Sequence, residues 1–333
     1  MTRSPRPDFL VVGAPKAGTT ALHAALRQHP QVFTTTPKEP KYFLCDDAPP
    51  PDWRGPGDRH SQREWIWRWD RYEQLFAPAG PEQVRGESTP FYLWSRSAHR
   101  RIAERLPEVR LIAVVRDPID RAYSNWMHLW CDGLEPVGDF EAAFARQQER
   151  MAAGWAPFWR YTGLGRYGEQ LQHLHRHVDP DRVLVMRYRE LVEDPRAAVD
   201  RACAFLGITP GLVGEIPRDN SRAYVEPGPR ARLLGPVVRA GASLGRFAPP
   251  EVWRRASVPL VSGLSAGGRA HRPKLSAEAR ERLLPHFADD IALLAELTGE
   301  DFGDWLSCES RGSFLERQQA VDDPLDAPLN APA

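Results

Sequence analysis

The run from Phe9 to Leu22, FLVVGAPKAGTTAL, constrains this chain more than any other stretch. DFLVVGA reads as a buried strand, with apolar side chains at successive positions rather than alternate ones. TTALHAALRQHP reads as a helix whose Leu22, Ala25 and Leu26 share one face. The turn between them carries Gly13, Pro15, Lys16, Gly18 and two threonines. A strand that passes this quickly into a helix is the opening unit of an α/β fold with a mostly parallel sheet flanked by helices.

The same alternation recurs. VRLIAVVRDPIDRAYSNWMHLW supplies a strand over Val109–Val115 and a helix started by Asp117 or Asp120. DRVLVMRYRELVEDPRAAVDRACAFLGI supplies a strand and a helix with Pro195 near its start. QVFTT is a further short strand. The Pro-, Asp- and Gly-rich residues 46–62 read as a surface loop, and 209–272 as loops and short helices. SAEARERLLPHFADDIALLAELTG predicts an amphipathic helix broken near Pro285. The expected organisation is one α/β domain over 1–310 with helical and loop insertions, followed by a tail, 311–333, disordered at its tip.

Composition narrows the function classes. Lys plus Arg balances Asp plus Glu at 44 each, which argues against a nucleic-acid or membrane-surface binder. No segment approaches the ~18 apolar residues of a membrane helix, and FLVVGA is too short for a signal peptide. The four cysteines are scattered without CxxC spacing, so they read as reduced, mostly buried thiols and no metal site is expected. A cytoplasmic enzyme is the expectation.

The first turn is built for an anion. Gly18 lets the backbone come close, the helix that follows offers unpaired N–H groups, Thr19 and Thr20 add hydroxyls, and Lys16 adds charge. A Walker A loop, GxxxxGK(S/T), would place lysine directly after the second glycine. Here Gly13 and Gly18 have that spacing, but Thr19 occupies the lysine position and Lys16 lies inside the loop. The LIAVV strand ends in Arg116 where a magnesium-binding aspartate would be sought. Both departures argue against the alternative reading, a P-loop kinase or NTPase acting on ATP-magnesium. A second anion site follows the later strand, where Arg116 and Ser124 can converge on one ligand.

PKAGTT after a strand resembles the 5′-phosphosulfate loop of sulfotransferases that use 3′-phosphoadenosine-5′-phosphosulfate (PAPS), and VVRDPIDRAYS resembles the 3′-phosphate motif of that family, its heparan-type and carbohydrate branch in particular. The resemblance spans about Asp8 to Leu306. It implies the sulfotransferase architecture, with Lys16 at the bridging oxygen and sulfuryl group. Ala17, Gly18, Thr19 and Thr20 would lie on the 5′-phosphate, and Arg116 and Ser124 on the 3′-phosphate. LVMRYRELVEDP resembles the segment whose tyrosine lies near the adenine, here Tyr188. SAGGRAHRPKL resembles the glycine–arginine loop that folds over the nucleotide, which brings in Gly268 and Arg269. Gly267 stands where some relatives carry a lysine.

Sulfuryl transfer needs a base on the acceptor and neutralisation of the leaving phosphate, and no metal. The KEPKYF segment resembles the family's KEPxxF, whose glutamate is the base. Glu39 takes that part by resemblance, with Lys38 on the sulfuryl oxygens. The Lys–Glu–Lys composition also suits an ordinary solvated turn. His128, one helical turn after Ser124, is the alternative base or an orienting donor. GESTPFY resembles the family's EKTPxY with Ser88 in place of lysine, and reads as acceptor-side wall, leaving Glu87 outside the catalytic set. Nine tryptophans fall between Trp53 and Trp159, some in the core and some available to an acceptor. The expected acceptor is a hydroxyl of a small molecule, glycolipid, natural product or glycan. Oligomeric state is not legible.

Overall fold

The computed structural model describes residues 5–214, 235–240 and 273–306. Its sheet, among the described residues, has five strands: β1 (Phe9–Gly13), β2 (Val32–Thr34), β3 (Val84–Ser88), β4 (Arg110–Val115) and β5 (Val183–Arg187). Their order is β2-β3-β1-β4-β5, and every pairing is parallel. Every residue of β1 is buried, as is β4 beyond Arg110, because helices cover both faces. The chain moves from β1 towards β2 and β3 on one side and to β4 on the other. The direction of winding therefore changes between β1 and β4, and ligands of open parallel sheets bind outside the carboxyl ends of the strands at such a point.

The strands expected from apolar runs are present at β1, β2, β4 and β5. β3, next to the central strand, has the sequence VRGES and was not expected. It is a strand because its neighbours require it. Gly86 lies under the Phe9 ring, with no room for a Cβ. The amide of Arg85 donates to the Asp8 carboxylate at 2.8 Å. The Glu87 and Ser88 side chains are hydrogen-bonded within the core.

The helices that matter for the site are α1 (Thr19–Leu26), α2 (Arg96–Arg105), α3 (Pro118–Cys131), α4 (Tyr167–Leu174), α5 (Tyr188–Glu193), α6 (Pro195–Leu206), α7 (Ala277–Leu283) and α8 (Ala288–Thr298). Leu22, Ala25 and Leu26 of α1 are fully buried, as the periodicity predicts. Asp117 caps α3 by accepting from the amides of Ile119 and Asp120, with Pro118 in the first helical position. The expected break near Pro285 is a 3-10 turn, Leu284–His286, between α7 and α8. Within the 46–62 loop, Asp58 opens a short helix, Asp58–Gln62, and its carboxylate takes the amides of Gly55 and Ala156 and the Trp159 indole N–H. Cys45, Cys131 and Cys203 are free and buried. No described helix is long and apolar enough to cross a membrane.

Candidate active site

The loop after β1 ends in Gly18, which precedes α1 with φ 86°, in the left-handed region that glycine enters at little cost. No side chain caps α1 and its first turn holds no acidic residue, so its amide dipoles present positive potential at the sheet edge. Ala17 is buried, Thr19 nearly so, and Thr20 is exposed. The loop is tied to the neighbouring strand by the Ala14 amide, which donates to the Val114 carbonyl at 2.7 Å.

Two other strand ends converge on this loop. Arg116, just past β4, donates to the Lys16 carbonyl at 3.4 Å. Its guanidinium lies over the Tyr188 ring at 4.7 Å, a stacking that fixes its fork without consuming its charge. Tyr188, just past β5, packs directly on Gly18, where an added Cβ would come within 2.8 Å of the ring. The loop after β1, the arginine and the tyrosine thus form one cluster across the carboxyl ends of β1, β4 and β5. Ser124 is half-buried in the second turn of α3.

The segment carrying Glu39 lies on the other side of the loop. The Lys38 ammonium donates to Thr20 Oγ1 at 2.9 Å and to Glu39 Oε1 at 3.4 Å, and Lys41 approaches Glu39 Oε2 at 3.8 Å. Glu39 is therefore flanked by two cations and linked through one of them to the start of α1. The segment is held from below, where the Ser88 amide donates to the Lys38 carbonyl at 3.2 Å. His23 of α1 shares a 2.9 Å hydrogen bond with Ser88 Oγ, and burial, with Lys38 and Arg27 nearby, pushes its imidazole down to about 4. It is neutral near pH 7.

His128 stands on α3 near Asp132, 3.8 Å away, and edge-on to Phe158. Phe158 in turn packs on Phe91 of the TPFY turn. Gly268 and Arg269, with Gly267, lie outside the described residues. Among the tryptophans, Trp126 and Trp159 are core. Trp65 and Trp67 line a cleft with Pro50, Asp52, Gln62 and Arg63, and the Lys41 ammonium sits 5.3 Å over the Trp65 ring. Lys41 was not singled out from the sequence, although its place two residues after Glu39 in a Lys–Glu–Lys run is a visible signal. No group of side chains suited to a metal ion occurs among the described residues.

Comparison with known proteins gives one consistent picture. A family model described as "Sulfotransferase domain" matches residues 6–222. Human heparan sulfate glucosamine 3-O-sulfotransferase 6 is 31% identical over 205 residues, covering 61% of this chain and 52% of that protein. The mouse protein of the same name is 30% identical over 300 residues, 89% of this chain and 73% of its own. The chain spans about half the length of the first curated relatives it matches. A sulfotransferase from Alicyclobacillus acidocaldarius, solved by crystallography, has a TM-score of 0.70 at 26% identity, covering 91% of this chain and 99% of that one.

Proposed function

The chain belongs to the sulfotransferase family, and from that premise we propose that it moves a sulfuryl group from PAPS to an acceptor hydroxyl. The observation that carries this reading is the contact between the two anion-binding strand ends. Arg116 reaches the Lys16 carbonyl and stacks on Tyr188, which packs on Gly18. A nucleotide phosphorylated at both the 5′ and 3′ positions asks for that pairing, and ATP does not.

The donor set fits such a ligand. The amides at the start of α1 with Thr19 and Thr20 take the 5′-phosphate, Arg116 and Ser124 take the 3′-phosphate, and Tyr188 lies beside the base. Ala17 lines the loop. When bound, PAPS supplies an already activated sulfuryl group. Lys16 neutralises the charge that grows on the departing phosphate oxygen, and Lys38 steadies the sulfuryl oxygens. Glu39 accepts the acceptor's proton as the new sulfur–oxygen bond forms and the bond to the 5′-phosphate breaks. His128 is the alternative base or an orienting donor, and its place beside Phe158, which packs on Phe91, favours a role on the acceptor wall. No metal is required.

Among possible acceptors, a carbohydrate hydroxyl is favoured. Two relatives at about 30% identity carry glucosamine 3-O-sulfotransferase in their names. The cleft of Trp65 and Trp67, linked to Glu39 through Lys41, offers tryptophan faces with Arg63, Asp52 and Gln62 around them, a mixture that suits a sugar ring. The free thiols fit a reducing, cytoplasmic setting.

Incubation with labelled PAPS and a panel of glucosamine-containing oligosaccharides, glycolipids and phenols, followed by mass detection, tests this reading. A product heavier by one sulfate supports it, and Glu39→Gln is expected to lower turnover about a hundredfold while nucleotide binding holds. Thermal stabilisation by ATP-magnesium in preference to adenosine 3′,5′-bisphosphate would overturn it.

A further inference from the structure

Glu87, at the end of β3, has no exposed surface, and its carboxylate is ringed by hydroxyls. Tyr72 donates to Oε1 at 3.3 Å and Thr89 to Oε2 at 2.9 Å, and the Tyr92 hydroxyl completes the ring. Two of these hydroxyls also reach the segment that carries Glu39. The Lys41 amide donates to Thr89 Oγ1 at 3.3 Å, and the Phe43 amide donates to the Tyr92 hydroxyl at 3.4 Å. A hydroxyl has one proton. Where Thr89 and Tyr92 each accept a backbone N–H, their own protons are aimed at Glu87. The carboxylate therefore orients two acceptors that grip the chain two and four residues beyond Glu39, where Lys41 holds a left-handed φ of 63°.

Resting on the function proposed above, we infer that Glu87 is a positioning residue for Glu39, acting through Thr89 and Tyr92 on the backbone of Lys41 and Phe43. It touches neither donor nor acceptor.

The arrangement has a pH signature. Burial pushes the Glu87 carboxyl up to about 8, against three hydroxyl donors that lower it and with the Glu39 charge adding to the rise. The groups that face it are Tyr72 from the Trp69–Gln74 helix, Tyr92 and Thr89 from the turn after β3, and Glu39 with Lys38 and Lys41 beyond them. Its register partner on β1, Leu10, is apolar. A protonated Glu87 must donate one hydrogen bond. The hydroxyl that receives it then has its own proton stranded in a buried site. The network is complete only in the ionised form, so organisation of the base segment improves as pH rises through about 8.

In Glu87→Gln, kcat is expected to fall about ten- to a hundredfold, with affinity for adenosine 3′,5′-bisphosphate unchanged and the rise near pH 8 gone. Hydrogen exchange at the Lys41 and Phe43 amides should quicken. That readout involves no chemistry, so it separates this inference from the base assignment, which a fully active Glu39→Gln would sink alone. Thr89→Val should repeat the loss and Thr89→Ser should restore activity, which keeps the test open should Glu87→Gln fail to fold. Unchanged amide exchange in Glu87→Gln, or equal kcat in the two Thr89 variants, would overturn the inference.

Discussion

The corners that follow β1 and β4 are built from the same parts and finished in opposite ways. Each turns a buried strand into a helix at the same edge of the sheet. The first enters α1 through a left-handed glycine, with no capping side chain and no acid in the first turn. The second enters α3 beneath Asp117, which takes two of its free amides, and Arg280 of α7 pairs with Asp117 at 2.9 Å and also with Asp120. One corner leaves its positive end without an acidic side chain, as the proposed anion site requires. The other neutralises its own helix end and offers the proposed site side chains only, Arg116 and, from the second turn of α3, Ser124. The pair teaches that a helix N-terminus is an anion site only where the chain does not supply the anion itself.

The comparison can be broken at either corner. The largest effect is expected at the open one. Lys16→Ala should cut turnover about a thousandfold while the melting temperature holds, because the role proposed for the lysine is on charge that develops during transfer. Activity close to wild type would place the reacting oxygen elsewhere. At the closed corner the effect should fall on stability. Arg280→Ala strands Asp117 in a site where both side chains are below a tenth exposed, at a cost of about 3 kcal/mol. Denaturant unfolding would read that loss, with nucleotide affinity of the folded protein kept. If instead affinity fell and stability did not, the two corners would not be separable in this way.

A smaller effect sharpens the contrast. Gly18→Ala forces a Cβ into the Tyr188 ring at a positive φ. It should weaken binding of the bisphosphate about tenfold, since the loop and Tyr188 must shift apart. Unchanged binding would mean that Tyr188 does not close the nucleotide site.

The strand, glycine turn and helix of the open corner were legible in sequence because their signals are local. Gly18, Lys16 and two threonines follow an apolar run, the pattern on which the proposed anion site rests. β1, β4 and β5 were legible for a related reason, since strands covered on both faces read as continuous apolar runs. β3 was not, because VRGES has one large apolar residue and is buried through Gly86, Glu87 and hydrogen bonds that only the folded sheet supplies. Glu87 was set aside with it. Its partners, Tyr72, Thr89 and Tyr92, come from a helix, a strand end and a turn, and no spacing rule links them to Glu39. The stacking of Arg116 on Tyr188 joins residues far apart in the chain, and no spacing rule indicates it. Gly268 and Arg269, read in the same way, fall outside the described residues.

The central claim is that the loop after β1 and the arginine after β4 hold the two ends of one doubly phosphorylated adenosine. Calorimetric titration of the wild type and of Arg116→Ala with adenosine 3′,5′-bisphosphate and with adenosine 5′-monophosphate tests it most directly. The wild type should prefer the bisphosphate by about ten- to a hundredfold, the worth of charged hydrogen bonds to the 3′-phosphate, and Arg116→Ala should lose most of that preference while keeping its affinity for the monophosphate. Equal wild-type affinity for the two nucleotides, or a preference that survives in Arg116→Ala, would contradict the account.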